Sequence, residues 1–469
     1  VGNELETRYQ QTLSALKTYE QQHVLGFWDE LSRDQQQQLL DQLEEIDLSL
    51  MKELFEGEHQ DTDWGAIAAA ATAPPGIRLN EMTADRVAEA RRLGEQALRA
   101  GRVGIVLVAG GQGSRLGFPH PKGMFSIGPV SGRTLFQVHV DRLLAMSQRY
   151  GVDIPFYLMT SPATHDETIA YFHEHDRLGL KPEDLIVFRQ GTMPAVDAQS
   201  GKLLLEAKDS LFLSPDGHGG MLAALARSGA LADMERRGVD LLFYFQVDNP
   251  LVALADPVFI GFHLAADSEL TSQVVGKRQP KDKVGNVILA DGRVRVIEYS
   301  DLPDEAAERR NADGSLAIWA GSIAVHVMDV PFLRRALDQV DSLPFHRAHK
   351  AVPYVDDSGE KVEPSKPNAI KFERFIFDLL PHARNAIVVE VDEREAFAPL
   401  KNASGVASDT KETAQAAMVA QHRRWIEHAG GQVAPGTLVE ISPHFAVDEA
   451  EFAAKWTAPR TISANEFIQ

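Results

Sequence analysis

A buried strand that runs straight into glycines constrains the architecture of this chain more than any other stretch. Val103 to Val108 is a short apolar run rich in β-branched residues. It breaks into Gly110-Gly111-Gln112-Gly113-Ser114-Arg115-Leu116-Gly117, followed by Pro121-Lys122-Gly123. An apolar run without alternation predicts a strand covered on both faces, as in a parallel sheet. Glycines after such a strand let backbone N–H groups turn toward a ligand, and in open α/β sheets ligands sit at the carboxyl ends of strands. Arg115 supplies a forked cation and Lys122 a point charge, both suited to phosphate oxygens.

The remainder of the chain fits the same architecture. Pro155 to Thr160, Leu185 to Arg189, Leu241 to Val247 and Thr271 to Lys277 read as further strands, with helices at Leu135 to Tyr150 and Gly219 to Arg237. That alternation predicts an α/β domain on a largely parallel sheet. Val284 to Tyr299, with Asp291-Gly292 in the middle, carries a hairpin signal. Before the first strand the pattern is helical. Ser32 and Gln35 have the spacing of a capping box, and Leu39, Leu43, Ile46, Leu50 and Leu54 recur on one helix face. A second amphipathic segment runs from Thr83 to Ala100 and is closed by Gly101. After a strand at Ala386 to Val391 come a helix from Glu412 to His428 and a short β-rich tail. The expected organisation is a helical region over 1–95, an α/β domain over 96–385 and a C-terminal domain over 386–469, in keeping with 469 residues.

Composition narrows the function classes. Acidic residues outnumber basic ones, 67 to 47, for a formal net charge of −20. A chain this acidic is poorly suited to nucleic acid or membrane surfaces, and must bind polyphosphates through local donors and a metal. There is no cysteine, which excludes disulfides, thiolate nucleophiles and iron–sulfur clusters. No apolar run approaches the ~18 residues of a membrane span, and no signal-peptide pattern stands at the beginning. A soluble, cytoplasmic protein is the expectation.

Two common phosphate-binding motifs fail on the glycine loop. A dinucleotide fingerprint needs glycine at position 116 after Gly111 and Gly113, where Leu116 stands, and the Gly-Lys-Ser/Thr of a Walker loop is absent. The loop instead resembles the signature of sugar-nucleotide pyrophosphorylases, and Gly123-Met124 with Thr134-Leu135-Phe136-Gln137 is similar to the eukaryotic UDP-N-acetylhexosamine pyrophosphorylases in particular. The likeness continues through Gln190-Gly191-Thr192-Met193-Pro194-Ala195, Pro215-Asp216-Gly217-His218-Gly219-Gly220 and Val247-Asp248-Asn249. It extends through Val296-Ile297-Glu298-Tyr299-Ser300, Ala320-Gly321-Ser322-Ile323, Phe397-Ala398-Pro399-Leu400-Lys401-Asn402-Ala403 and Glu440-Ile441-Ser442-Pro443.

The resemblance implies a three-layer, Rossmann-like nucleotidyltransferase domain with mixed strand directions. It also implies the reaction: a sugar 1-phosphate attacks the α-phosphate of UTP, giving UDP-sugar and pyrophosphate with Mg²⁺ as cofactor. No protein nucleophile is needed; the demand is in-line positioning and charge neutralisation. By the same resemblance, Arg115, Lys122 and Lys401 hold the phosphates, Gly110 and Gly111 contact the uracil, and Gln190 reads its edge. Asp248, at the end of a strand, is the hard oxygen ligand for Mg²⁺. Gly217 and His218 open a helix beside the nucleoside, and histidine stands where the N-acetylhexosamine enzymes usually carry asparagine. Gly285 and Glu298 line the hexose. Ser322 replaces an asparagine that contacts the sugar, with a shorter reach and one polar group in place of two.

That departure leaves three further readings of the chain. One is a uridylyltransferase for unmodified hexose 1-phosphates such as glucose or galactose. Another is a catalytically silent UDP-sugar-binding regulator. A nicotinamide-dependent oxidoreductase is disfavoured by Leu116. Nothing in the sequence reports the oligomeric state.

Overall fold

A computed structural model describes residues 2–57, 63–338 and 343–469. Its centre is a ten-stranded sheet. In chain order the strands are β1 (Gly76–Ile77), β2 (Val103–Val108), β3 (Phe156–Thr160), β4 (Leu185–Arg189), β5 (Leu241–Gln246), β6 (Leu270–Gly276), β7 (Gly285–Ala290), β8 (Arg293–Ile297), β9 (Ala320–Asp329) and β10 (Ile387–Glu390). The spatial order is β1-β10-β6-β9-β5-β2-β3-β4, with β7 joined to β9 and β8. All neighbours on the main path pair in parallel except β9, which runs antiparallel to both β5 and β6. The mixed α/β sheet expected from the sequence is therefore present, with helical segments in the N-terminal region and short paired strands in the C-terminal region.

The apolar runs become strands because both sheet faces are covered. Ile105, Leu107, Phe156, Leu158, Phe243 and Phe245 are fully buried in one continuous core. Helix Leu135–Tyr150 lies in that core with most of its residues buried, capped by the Thr134 hydroxyl on the Gln137 N–H and closed by Gly151 in the left-handed region. Helices Ala84–Arg99 and Pro257–Ala265 meet backbone to backbone. A methyl group on Gly261 would lie 1.6 Å from the Ala90 carbonyl oxygen, and one on Gly94 would lie 1.9 Å from that of Pro257.

The chain forms two compact units from interleaved segments. One contains Val1–Asp63, Gln190–Met221 and Asp341–Ile376; the other contains Trp64–Arg189, Leu222–Val340 and Phe377–Gln469, including the whole sheet. In the first, helices Arg33–Glu44 and Leu48–Glu56 bury Leu39, Leu43, Met51 and Leu54 against Val196, Leu211, Ile370 and Phe372. The Ser32–Gln35 capping box forms as expected. The leucine stripe spans two helices, because Asp47 caps a new one by accepting the Leu50 N–H at 2.9 Å. Likewise the helix expected over Gly219 to Arg237 divides into Met221–Arg227 and Ala230–Arg237, since Gly229 takes φ +79° between them. In the second unit, helix Lys411–His428 packs Trp425 and Ile426 on Val439, Ile441 and Phe452. Glu440 ties this region to the loop after the glycines, accepting from the Val130 and Ser131 N–H groups at 2.8 and 2.7 Å.

The helix crossing yields a stability prediction. Gly261→Ala should destabilise the protein by about 3 kcal/mol, because the Ala90 carbonyl belongs to a backbone that cannot step aside. Denaturant unfolding checks it; an unchanged midpoint would mean the two helices separate freely.

Candidate active site

The residues leaving β2 and β5 emerge side by side. The two strands pair in parallel with Gln246 opposite Val108, and the Val247 N–H continues the ladder to the Val108 carbonyl at 3.1 Å. Asp248 follows on one side and the glycine loop on the other. The loop folds back on itself: the Lys122 N–H donates to Gly111 O at 3.0 Å and the Gly113 N–H to His120 O at 2.8 Å. Gly123 lets this return lie flat on the core, since a methyl there would sit 2.2 Å from the Phe136 ring. The result sets Lys122 Nζ 3.9 Å from Asp248 Oδ2, with both side chains largely withdrawn from solvent, 18% and 15% exposed. Arg115, on a short turn in the same loop, is exposed and has no carboxylate within ion-pairing distance among the described residues.

A third segment completes this corner. The Leu400 N–H donates to Asp248 O at 2.8 Å, and Leu400 O accepts from Lys122 Nζ at 3.4 Å. Lys401 is the next residue, and its own N–H is held by Asp409 O at 2.7 Å. Gly110, Gly111, Arg115, Lys122, Asp248 and Lys401 thus come from three separated stretches of chain to one edge of the sheet.

The proposed sugar residues form a neighbouring group at the same edge. β9 runs against its neighbours, so its first residues lie beside the end of β6, with Ala320 opposite Gly276. Ser322 pairs with Gly285, the first residue of β7. A methyl built on Gly285 would lie 3.8 Å from Ser322 Cβ and 3.9 Å from Glu298 Oε1, so the three residues share one face. Ser322 Oγ accepts the Ala324 N–H at 3.3 Å, where the strand kinks and Ala324 takes φ +56°. Next to Ser322's stretch, Arg78 stacks 3.6 Å over the Trp319 ring and donates to Glu390 at 2.7 Å.

Gln190, Gly217 and His218 belong to the first compact unit. Gln190 is buried at 8% exposure. Gly217 takes φ +82°, and a methyl on it would sit 2.3 Å from the Arg374 carbonyl oxygen. His218 Nδ1 accepts the Ile376 N–H at 3.0 Å, and its ring packs on Phe375. Burial, with His346 nearby, pushes the His218 pKa down to about 4, so the ring is neutral at physiological pH.

Sequence reasoning passed over Asn249. It is 2% exposed, and its carboxamide bridges the end of β5 to the stretch carrying Leu400 and Lys401. Nδ2 donates to Ala396 O at 2.8 Å, and Oδ1 accepts from Ala398 N at 3.1 Å. The signal was its position: an amide directly after a strand-end carboxylate, with Pro250 next. His139 holds the Val247 carbonyl through Nε2 at 3.0 Å, and burial keeps it neutral with a pKa of about 3.

Among the described residues no group of three or more histidine, aspartate or glutamate side chains converges as a metal cage. Asp248 stands as a single carboxylate beside a lysine. Such a donor set fits a hard cation that draws most of its ligands from water and phosphate oxygens, as Mg²⁺ does. No helix of the described residues is long and apolar enough to cross a membrane.

A family model described as UTP–glucose-1-phosphate uridylyltransferase matches residues 54–459. The UDP-N-acetylhexosamine pyrophosphorylase-like protein 1 of Xenopus tropicalis is 38% identical over 430 residues, covering 87% of this chain and 83% of its own. The UDP-N-acetylglucosamine pyrophosphorylase of Saccharomyces cerevisiae is 36% identical over 439 residues, covering 90% of this chain and 92% of its own. In fold, the chain is similar to the crystal structure of the uridine diphosphate N-acetylglucosamine pyrophosphorylase from Trypanosoma brucei, with a TM-score of 0.82, 24% identity and 98% of each chain covered.

The buried histidines predict an acid-sensitive fold. Below pH 6.5 an unfolded histidine takes up a proton that folded His218 refuses until about pH 4. Stability therefore falls as pH drops between those values, by about 2 kcal/mol at pH 5 from this residue. Thermal unfolding across pH 7 to 4.5 should show a shallower acid decline for His218→Asn than for the unaltered chain; parallel curves would refute the assignment.

Proposed function

We propose, for a chain that belongs to the UTP–glucose-1-phosphate uridylyltransferase family, that the sugar substrate is an N-acetylhexosamine 1-phosphate. The chain is a uridylyltransferase: it joins UTP and a sugar 1-phosphate to give UDP-sugar and pyrophosphate. The names of its relatives from Xenopus and yeast favour the acetylated sugar. The observation that carries the mechanism is the corner where Lys122 faces Asp248 at 3.9 Å, with Leu400 bonded to both and Lys401 next to it.

The chemistry follows from that corner. An oxygen of the sugar phosphate attacks the α-phosphorus of UTP, the bond to the bridging oxygen of the β-phosphate breaks, and pyrophosphate leaves with the electron pair. Negative charge builds on the departing oxygens, and fixed cations in a partly dehydrated site stabilise it more than water does. We assign this task to Lys122 and Lys401, with Arg115 on the outer phosphates. Asp248 would hold Mg²⁺, which when bound supplies further neutralisation of the phosphate oxygens. Gly110 and Gly111 offer backbone groups to the base, and Gln190, Gly217 and His218 are assigned to nucleotide recognition. Gly285, Glu298 and Ser322 are assigned to the hexose, with the carboxylate accepting from sugar hydroxyls.

One observation favours a second reading. Ser322 Oγ already accepts the Ala324 N–H, so it has less to offer an acetamido group than a longer amide would. A preference for unmodified hexose 1-phosphates follows if that group sets the choice.

Pyrophosphate release from UTP and Mg²⁺ with the 1-phosphates of N-acetylglucosamine, N-acetylgalactosamine, glucose and galactose decides between the readings. The expected result is the highest kcat/KM with an acetylated sugar; preference for glucose or galactose would establish the second reading, and silence would leave the regulator. Asp248→Ala should lower kcat by about a hundredfold or more, and unchanged Mg²⁺-dependent turnover would remove Asp248 from the metal. Ser322→Asn should raise the ratio of kcat/KM for acetylated over plain sugars by about tenfold; an unmoved ratio would show that Ser322 does not choose the sugar.

A further inference from the structure

We infer that Asn249 is a positioning residue that sets the Lys401 cation against the Lys122–Asp248 corner. The inference rests on the assignment of Lys401 to the reacting phosphates. Asn249 is buried at 2% exposure, and both ends of its carboxamide are hydrogen-bonded within the protein, so its role is argued through the backbone it holds rather than through substrate contact. Its Nδ2 donates to Ala396 O at 2.8 Å, while Oδ1 accepts from Ala398 N at 3.1 Å and from Leu251 N at 3.2 Å. The first two bonds grip the approach to Lys401 from the inside. The backbone of the preceding residue adds a third, from the Leu400 N–H to Asp248 O at 2.8 Å. Beyond Lys401 the chain is held again, with the N–H groups of Lys401 and Asn402 both on Asp409 O at 2.7 and 2.8 Å.

The chemistry selects asparagine at this position. The segment presents one carbonyl and one N–H to a single planar group, so the group must donate from one end and accept at the other. An aspartate of the same shape keeps the bond to Ala398 but turns an oxygen toward the Ala396 carbonyl, losing one bond and adding repulsion in a buried site. Leu400 is fully buried and its carbonyl accepts from Lys122. Because Lys401 directly follows Leu400, a shift of the 396–400 stretch displaces it, while Lys122 keeps its place through its own N–H on Gly111 O at 3.0 Å. Positioning of this kind matters because small displacements of a charge from the developing negative oxygens cost large factors in rate.

The test is a double-mutant cycle on kcat, with Asn249→Asp, Lys401→Ala and the double variant assayed for pyrophosphate release from UTP and N-acetylglucosamine 1-phosphate. Asn249→Asp should lower kcat 10- to 100-fold and lower the thermal midpoint, while keeping KM for UTP within threefold and calorimetric UDP-N-acetylglucosamine binding near that of the unaltered chain. In the Lys401→Ala background the same change should cost less than twofold, because the residue it positions is gone. Losses that multiply in the double variant, or an unchanged kcat for Asn249→Asp, overturn the inference while leaving Lys401 in place. An unchanged kcat for Lys401→Ala alone removes the assignment of Lys401 and the inference with it. Should Asn249→Asp fail to fold, Asn249→Ser, which shortens the group without placing a charge, enters the same cycle under the same criteria.

Discussion

The parallel pairing of β5 on β2, in register to their last residues, is the constraint on which the site depends. Two strands that end together deliver their following residues to the same place, beyond the last ladder bond, where backbone groups are free to turn outward. The glycine loop leaves one strand and Asp248 the other. Lys122 then returns through its N–H on the Gly111 carbonyl, and Leu400 docks on the Asp248 carbonyl. Each step uses a backbone group that the sheet has left unpaired. An acidic chain, at −20 overall, gathers Arg115, Lys122 and Lys401 at this edge. In the proposed reading, affinity for polyphosphate is therefore local, set by donors at short range rather than by the field of the whole molecule.

Much of the fold was legible because burial on both faces leaves a plain mark. The runs at 103–108 and 185–189 and the helix at 135–150 coincide with the observed elements, since each is bounded by glycine, a cap or a change of polarity. Where two helices keep the same apolar face in line, periodicity alone merges them. The stripe from Leu39 to Leu54 continues across the break at Asp47, and only the capping role of that aspartate marks the new start. The partners of a buried face leave no mark in the sequence either. Leu39 and Leu43 pack against residues from 196–211 and 370–372, and an amphipathic pattern announces that a face is covered without saying by what. The interleaved segments of the first compact unit were hidden for that reason.

The candidate site was legible to different depths. Arg115 and Lys122 follow from loop composition after a strand, Asp248 from its strand end together with the family resemblance, and the structure brings the lysine and aspartate within 3.9 Å. Lys401 is another matter. It lies far along the chain in a stretch without regular periodicity, and only its resemblance to a known motif singled it out. Asn249 was overlooked although it adjoins Asp248, because a polar residue in that place is an ordinary turn former; its burial and its bonds to Ala396 and Ala398 are facts of tertiary structure. Ala324 is less visible still. Alanine carries no preference for the left-handed conformation it holds, so the kink beside Ser322 cannot be read from its residue type.

The antiparallel strand β9 gives the molecule a second kind of surface at the same edge. Parallel strands end there and offer loops, which suit phosphates because N–H groups and flexible cations can close on them. β9 begins there instead, and with β7 it offers side chains fixed on strands: Ser322 opposite Gly285, with Glu298 beside them. Strand positions hold a hydroxyl or carboxylate in a fixed direction, as discrimination between similar sugars requires. They also stand on other strands than the phosphate corner, on β7 and β9 rather than at the ends of β2 and β5. In the proposed assignment, a serine in place of a longer amide at 322 alters what the strand surface recognises while the β2–β5 register stays as it is. If the proposed assignment of these residues to the hexose holds, the change of direction at β9 lets the fold vary its sugar without disturbing the chemistry at the phosphates.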